Sequence, residues 1–187
     1  MNKASMVPAP TLRLAFRRLQ AADAAVFFQL NSIPAVVQYT ARPALASLEA
    51  ACKQLSSADF SQHDAAGLGR FAVLDGKTGA VIGLVGLRPA SAEGISCAPV
   101  LLGFRFLPQI WGQGIASEAA AAVVQYVFTQ LQLPAVAATV FAANKASQRV
   151  LAKLGFSLQT AQQTASVDTD SAPALLTYYL AATAQEA

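Results

Sequence analysis

The chain opens on an alternation of apolar and polar positions. Leu12, Leu14 and Phe16 alternate with Arg13, Ala15 and Arg17, a period of two that predicts a first strand. From Ala21 to Leu30 the spacing becomes helical, with Val26, Phe27 and Leu30 on one face and Asp23 in the first turn. Asn31-Ser32-Ile33-Pro34 ends that helix. A second helix is predicted from Ser47, a hydroxyl N-cap, through Leu48, Ala51, Cys52 and Leu55. Ser56 to Gly69 is polar and reads as a loop. Arg70 to Leu74 and Val81 to Leu87 are two strands joined by Asp75-Gly76-Lys77-Thr78-Gly79, a hairpin signal. Ala90 to Pro99, rich in Ser, Ala and Gly, leads into an apolar strand, Val100 to Phe106. An Ala-rich helix is predicted from Ile115 to Leu131, then a break at Pro134 and a strand from Ala135 to Phe141. Asn144 is a good N-cap for a helix over Lys145 to Leu154, and Gly155 a good residue to stop it. Phe156 to Gln162 and Leu175 to Leu180 predict a closing pair of strands.

This order of elements, without internal repeat or linker, predicts one α/β domain over residues 11–182, with helices on both faces of one sheet. Residues 1–10 and 183–187 read as flexible ends. The length of 187 residues suits one sizeable core. Although 55% of the residues are hydrophobic, much of that is Ala, and no apolar run reaches the roughly 18 residues that span a bilayer. Met1 to Pro10 lacks the apolar stretch of a signal peptide. Cys52 and Cys97 are isolated, which speaks against zinc and thioredoxin-like chemistry and for reduced thiols in the cytoplasm. The net charge of +3 and the pI of about 9.1 favour an anionic ligand, but no basic run argues for nucleic acid.

Between the Val100–Phe106 strand and the Ala-rich helix lies Gln109-Ile110-Trp111-Gly112-Gln113-Gly114. Two glycines one residue apart let the backbone turn tightly and come close to a ligand. The helix that follows aims its free N–H groups and positive dipole end at the turn. Strand, turn and helix N-terminus together make a site for a pyrophosphate.

Further along, Asn144-Lys145-Ala146-Ser147 is followed by Val150-Leu151-Ala152-Lys153-Leu154-Gly155-Phe156. The order strand, Gln-x-x-Gly-x-Gly, helix, strand, Asn-x-x-Ser, helix, Leu-Gly-Phe resembles the GNAT superfamily of acetyl-CoA-dependent N-acyltransferases, and within it the RimJ/RimL type. Looser matches are Thr11 to Leu19 with Asp23, Gly79 to Leu87, and Gly103-Phe104 ahead of Pro108. The resemblance implies a single mixed, mostly antiparallel sheet of six to seven strands flanked by about four helices. It implies acetyl-CoA as co-substrate, no metal, and an amine acceptor, either a protein N-terminus or a small molecule. A monomer or a homodimer would fit.

Acetyl transfer needs three things: a grip on the cofactor, stabilisation of oxyanion and leaving thiolate, and a deprotonated amine. For the first, the backbone N–H groups of Trp111, Gly112, Gln113, Gly114, Ile115 and Ala116 are candidates, with Phe104 and Phe106 on the preceding strand. The Trp111 side chain reads first as a core or surface aromatic, and Ser117 as either a cap or a phosphate contact. For the second, the resemblance implies that Asn144 bonds the pantetheine arm and that Ser147 sits near the thioester sulfur as candidate acid. One helical turn separates them, so both can face one groove.

The third need is where the chain departs from the pattern. Relatives often carry a carboxylate where Leu101 stands, an Asp where Leu107 stands, and a His or polar residue at the place of Arg88. Glu118 reads as structural. Glu93, Asp168 and His63 are loop residues that nothing in the sequence ties to a cleft. Activity without a strong general base is then expected, helped by an acceptor of low pKa. The missing carboxylate leaves a second reading open, a degenerate GNAT domain that binds acyl-CoA, and a longer acyl group a third. Acceptor specificity would reside in the loops 31–43, 56–69 and 90–99. The sparse charge argues against a strongly polycationic acceptor.

Overall fold

The structure, a computed structural model, describes residues 6–40, 43–57, 66–163 and 174–182. A seven-stranded sheet carries the fold, in the order β1-β2-β3-β4-β5-β7-β6. The strands are β1 Leu14–Arg18, β2 Gly69–Asp75, β3 Val81–Pro89, β4 Val100–Phe106, β5 Ala135–Phe141, β6 Ser157–Gln163 and β7 Ala174–Ala181. The helices are α1 Ala24–Ser32, α2 Pro34–Val37, α3 Leu48–Leu55, α4 Ile115–Thr129 and α5 Lys145–Lys153. All pairings are antiparallel except β4 with β5. The mixed, mostly antiparallel sheet is therefore as expected, with five helices rather than four.

The main core lies between one face of the sheet and α4. Ile115, Ala119, Val123, Tyr126 and Val127 recur at helical spacing and are buried against Phe71, Val85, Leu102 and Phe106. Tyr126 meets Phe71 edge-on, and its hydroxyl donates to the Gly67 carbonyl at 2.7 Å, so its polar tip is satisfied inside the core. On the opposite face, Phe27 and Leu30 of α1 and Ala51 of α3 close over Leu84 and Leu107. A third, small cluster of Leu101, Ala135, Ala137, Ala90 and Ala98 seals the start of β4 and β5.

Two local readings change. β1 begins at Leu14 rather than Leu12, whose side chain stands exposed. Its partner β2 ends at Asp75, which pairs with Leu14, so no ladder remains for Leu12. Ile33-Pro34 stops α1 but also opens the single turn α2, because proline is preorganised for a first helical position. Residues 6–10, expected to be loose, are in part docked. Met6 and Val7 pack on the main core, and the Met6 carbonyl accepts from Arg18.

Asp23 illustrates how the first helix is tied to the sheet. Its carboxylate takes two bonds from Arg17, at 2.6 and 2.7 Å, and one from the Gln20 N–H. Burial pushes its pKa up, but the Arg17 guanidinium and the Gln20 N–H outweigh that and hold it below the ordinary carboxylate value.

Candidate active site

The parallel pair shapes the site. β4 and β5 are both seven residues long, yet their ladder is limited to Leu101 opposite Ala137. Toward their carboxyl ends the strands part, and a cleft of about 1110 Å³ opens there. Gly103 and Phe104 line it from β4, and Ala138, Thr139, Val140 and Phe141 from β5. The cleft passes through the sheet. One mouth is bordered by α1 to α3, through residues such as Asn31 and Lys53, and the other by Asn144 and Ser147. Open α/β sheets place ligands at the carboxyl ends of their strands where the topology switches, and this is such a point.

The Gly turn follows β4 at that same end. Gly112 and Gly114 have φ of +78° and +76°, a left-handed conformation that glycine adopts without steric cost. Gly114 is the N-cap of α4 and offers no side chain to its first turn. The first bond back to it is Glu118 N–H to Gly114 carbonyl at 3.1 Å, so the N–H groups of Ile115, Ala116 and Ser117 precede the helical ladder. The exposed turn and this uncapped 15-residue helix are what a diphosphate requires. Trp111 is 47% exposed, and its indole N–H donates to the Phe106 carbonyl at 2.8 Å, which pins the turn to the end of β4. Phe106 itself is buried in the core and brings no side chain to the cleft, whereas Phe104 does.

An ion pair invisible in the local sequence braces this turn. Arg13 donates through Nε to Glu118 Oε2 at 2.6 Å, and through Nη1 to the Gln113 carbonyl at 3.0 Å. Thr11 Oγ1 and the Arg13 N–H both donate to Glu118 Oε1. The edge before β1 is thus latched to the turn and to the first turn of α4, and the structural reading of Glu118 gains a definite role. Burial raises the Glu118 pKa, but the bonds from Thr11 and Arg13 prevail and hold it below the ordinary value. The sign follows: the latch is complete above the ordinary carboxylate pKa and is lost only as pH falls through the lowered one. Glu118→Gln should therefore loosen the turn at neutral pH. Steady-state kinetics should show KM for acetyl-CoA raised about three- to tenfold with kcat within about twofold, the pattern of lost uniform binding.

On the other side of the cleft, Asn144 caps α5. Its Oδ1 accepts from the Ser147 N–H at 3.1 Å, while its amide nitrogen donates to no described residue. A carboxamide whose oxygen is held by the cap and whose donors are spare suits a carbonyl-bearing chain such as pantetheine. Ser147 is half-buried and lines the same cleft. The helix ends in paired bonds, Phe156 N–H to Leu151 carbonyl and Gly155 N–H to Ala152 carbonyl, the Schellman pattern.

Leu101, where the resemblance implied a carboxylate, is fully buried among alanines. No carboxylate is offered from that strand position. The structure does place Glu93 in the cleft, held by Arg88 Nε at 2.6 Å. That contact depends on the short 3₁₀ turn Ala90–Glu93, which the Ser/Ala-rich sequence did not announce. Tyr39, Arg70, Arg105 and Thr139 also line the cleft and carried no signal in the sequence. His63 and Asp168 lie outside the described residues.

Comparison with known proteins agrees with this fold. Residues 13–157 match the family profile described as Acetyltransferase (GNAT) domain. The chain belongs to the GNAT acetyltransferases. It is 32% identical over 146 residues to the uncharacterized N-acetyltransferase YoaA of Bacillus subtilis (strain 168), covering 78% of this chain and 80% of that one. Its fold is similar to a GNAT-family acetyltransferase from Bacillus anthracis, with a TM-score of 0.76, 20% identity, and 94% and 98% of the two chains covered. The spermidine N-acetyltransferase of Vibrio cholerae, solved with CoA and spermine, superposes with a TM-score of 0.76 at 19% identity over 91% and 96% of the chains. This GNAT protein is an acetyl-CoA-dependent acyltransferase of N-acetyltransferase type.

Proposed function

We propose that this enzyme moves the acetyl group of acetyl-CoA directly onto a primary amine, either a protein N-terminal α-amine or a small molecule. The motif order supports an enzyme of the RimJ/RimL kind. The observation that carries the reading is the cleft through the parted strands, with the Gly turn and the Asn144–Ser147 pair at the same end of it. The N–H groups from Gly112 to Ala116 would hold the diphosphate, that of Trp111 being taken by the Pro108 carbonyl at 3.1 Å, and Phe104 and the Asn144 amide nitrogen would hold the pantetheine arm. Acetyl-CoA supplies an acetyl group activated as a thioester. An amide C–N bond forms as the C–S bond breaks; the amine gives a proton to water, and the sulfur takes one from water, either directly or through the Ser147 hydroxyl, which water reprotonates.

The cytoplasm is the proposed location, since Cys52 and Cys97 are both free and exposed, as thiols in a reducing compartment are. The apolar surroundings of Leu101 favour one alternative, a domain that binds acyl-CoA and turns it over poorly.

Because Leu101 offers no carboxylate and Glu93 is engaged by Arg88, the amine itself should govern the pH dependence. For two acceptors about two pKa units apart, the apparent pKa of kcat/KM should move with the amine. A common acidic limb for both would identify a dedicated base, with Glu93 the described residue placed to be it.

A further inference from the structure

Arg88 lies near the end of β3, and its guanidinium points into the cleft. Nε donates to Glu93, and Nη2 reaches Thr139 Oγ1 across the parted strands at 3.5 Å. A Cβ built on Gly103 would stand 3.3 Å from Nη1, so the side-chain fork lies over β4 where that strand leaves β5. A guanidinium has five donors in one plane. Glu93 occupies one and Thr139 makes a long contact with another, so the Nη edge still faces the cleft with donors to spare. Glu93 also fixes the arginine in place, so a ligand need not bear the cost of ordering it.

The rest of the cleft has the same sign. Lys53, Arg70 and Arg105 line it with Arg88, and Glu93 is the one carboxylate among the described lining residues. Arg105 bonds Asn31, and the Arg70 guanidinium stands 5.9 Å from the Phe27 ring, so these two shape the field. Arg88 offers the fork. A concave site with surplus positive charge repels a polyamine and attracts an anion.

We infer that the acceptor is an amine that also carries a carboxylate, gripped by the Arg88 fork at the acceptor mouth of the cleft. The inference rests on the acetyl-transfer reading and sharpens it. A bidentate carboxylate–arginine contact fixes the acceptor's orientation as well as its position. A free amino acid and a protein N-terminus with an acidic first side chain share this chemistry.

The test compares kcat/KM for glutamate, glutaminamide, short peptide amides beginning with Glu or Gln, and spermidine. Each acid should exceed its neutral partner by about tenfold or more, and spermidine should be poorest. Free glutamate ahead of the Glu peptide names a small-molecule acceptor; the reverse order names a protein N-terminus. Arg88→Gln should reduce the acid preference to within about twofold, mainly through the acceptor KM, with the Kd for CoA unchanged. Glu93→Gln, which keeps the cation but frees it, should lose a smaller share. Calorimetry of N-acetylglutamate and of the N-acetylated Glu peptide, each with the CoA-loaded protein and its Arg88→Gln variant, reads the same fork without turnover. Equal use of neutral amines, a preference for spermidine, or an acid preference that survives Arg88→Gln would overturn the inference while leaving acetyl transfer intact. Arg88-dependent binding of an acidic product without turnover of any amine would sustain the anionic cleft and overturn the transfer reading. Absence of both would overturn both.

Discussion

Gly114→Val is expected to weaken binding of acetyl-CoA by on the order of 10²-fold or more while the domain still folds. The reason is conformational rather than steric. A Cβ at this position would find only Arg13 Nη2, at 3.6 Å, an ordinary contact. The backbone, however, has φ of +76° and ψ of 0°, where a β-branched side chain is strained by roughly 1–3 kcal/mol. The turn would relieve that strain by moving, and the N–H groups from Gly112 to Ala116 would lose their common focus. Losing two hydrogen bonds to a charged group, at about 1.5–3 kcal/mol each, accounts for the predicted loss of affinity. Calorimetry with CoA measures it directly. In the wild type, CoA at about 100 times its Kd should stabilise the fold by about 2.7 kcal/mol, a shift in the thermal midpoint that the variant should lack at equal concentration. A variant that kept the full shift would remove the diphosphate from this turn.

Ser147→Ala is expected to lower kcat by roughly 10- to 100-fold and to leave CoA affinity within about threefold, the signature of an interaction made mainly in the transition state. The Ser147 N–H is spent on Asn144, and that bond survives the substitution, so α5 should keep its cap. What is removed is the hydroxyl of a half-buried residue that lines the cleft beside the proposed path of the thioester. Single-turnover rates at saturating acetyl-CoA separate the two effects. Full turnover in the variant would return Ser147 to the helix surface and leave proton supply to water.

The parts of this fold that were legible in the sequence are those governed by neighbours along the chain. β4 and β5 were read with the bounds observed, because each is a mainly apolar run set off by proline, Pro99 and Pro108 around β4 and Pro134 before β5. The Ser47 and Asn144 caps were legible for the same reason: each hydroxyl or carboxamide accepts from an N–H three residues on. The Gly turn was legible because left-handed φ singles out glycine. The acceptor side was not. Its residues come from α1, α3, β2, β3, β4 and β5, and nothing local brings Arg88 to Thr139 or Arg105 to Asn31. The Arg13–Glu118 latch joins residues 105 positions apart, so it could be foreseen only as a charged residue in a first helical turn. The departure at Leu101 was legible as a missing acid. That the position is buried among alanines is a tertiary fact.

The most direct test of the account is to incubate the protein with acetyl-CoA and a panel of primary amines, then follow free CoA thiol together with the masses of amine and protein. Direct transfer predicts one thiol released for each amine that gains an acetyl group, with the protein mass unchanged throughout. Binding of CoA without thiol release above the uncatalysed rate for any amine, or an acetyl group retained on the protein, would contradict it.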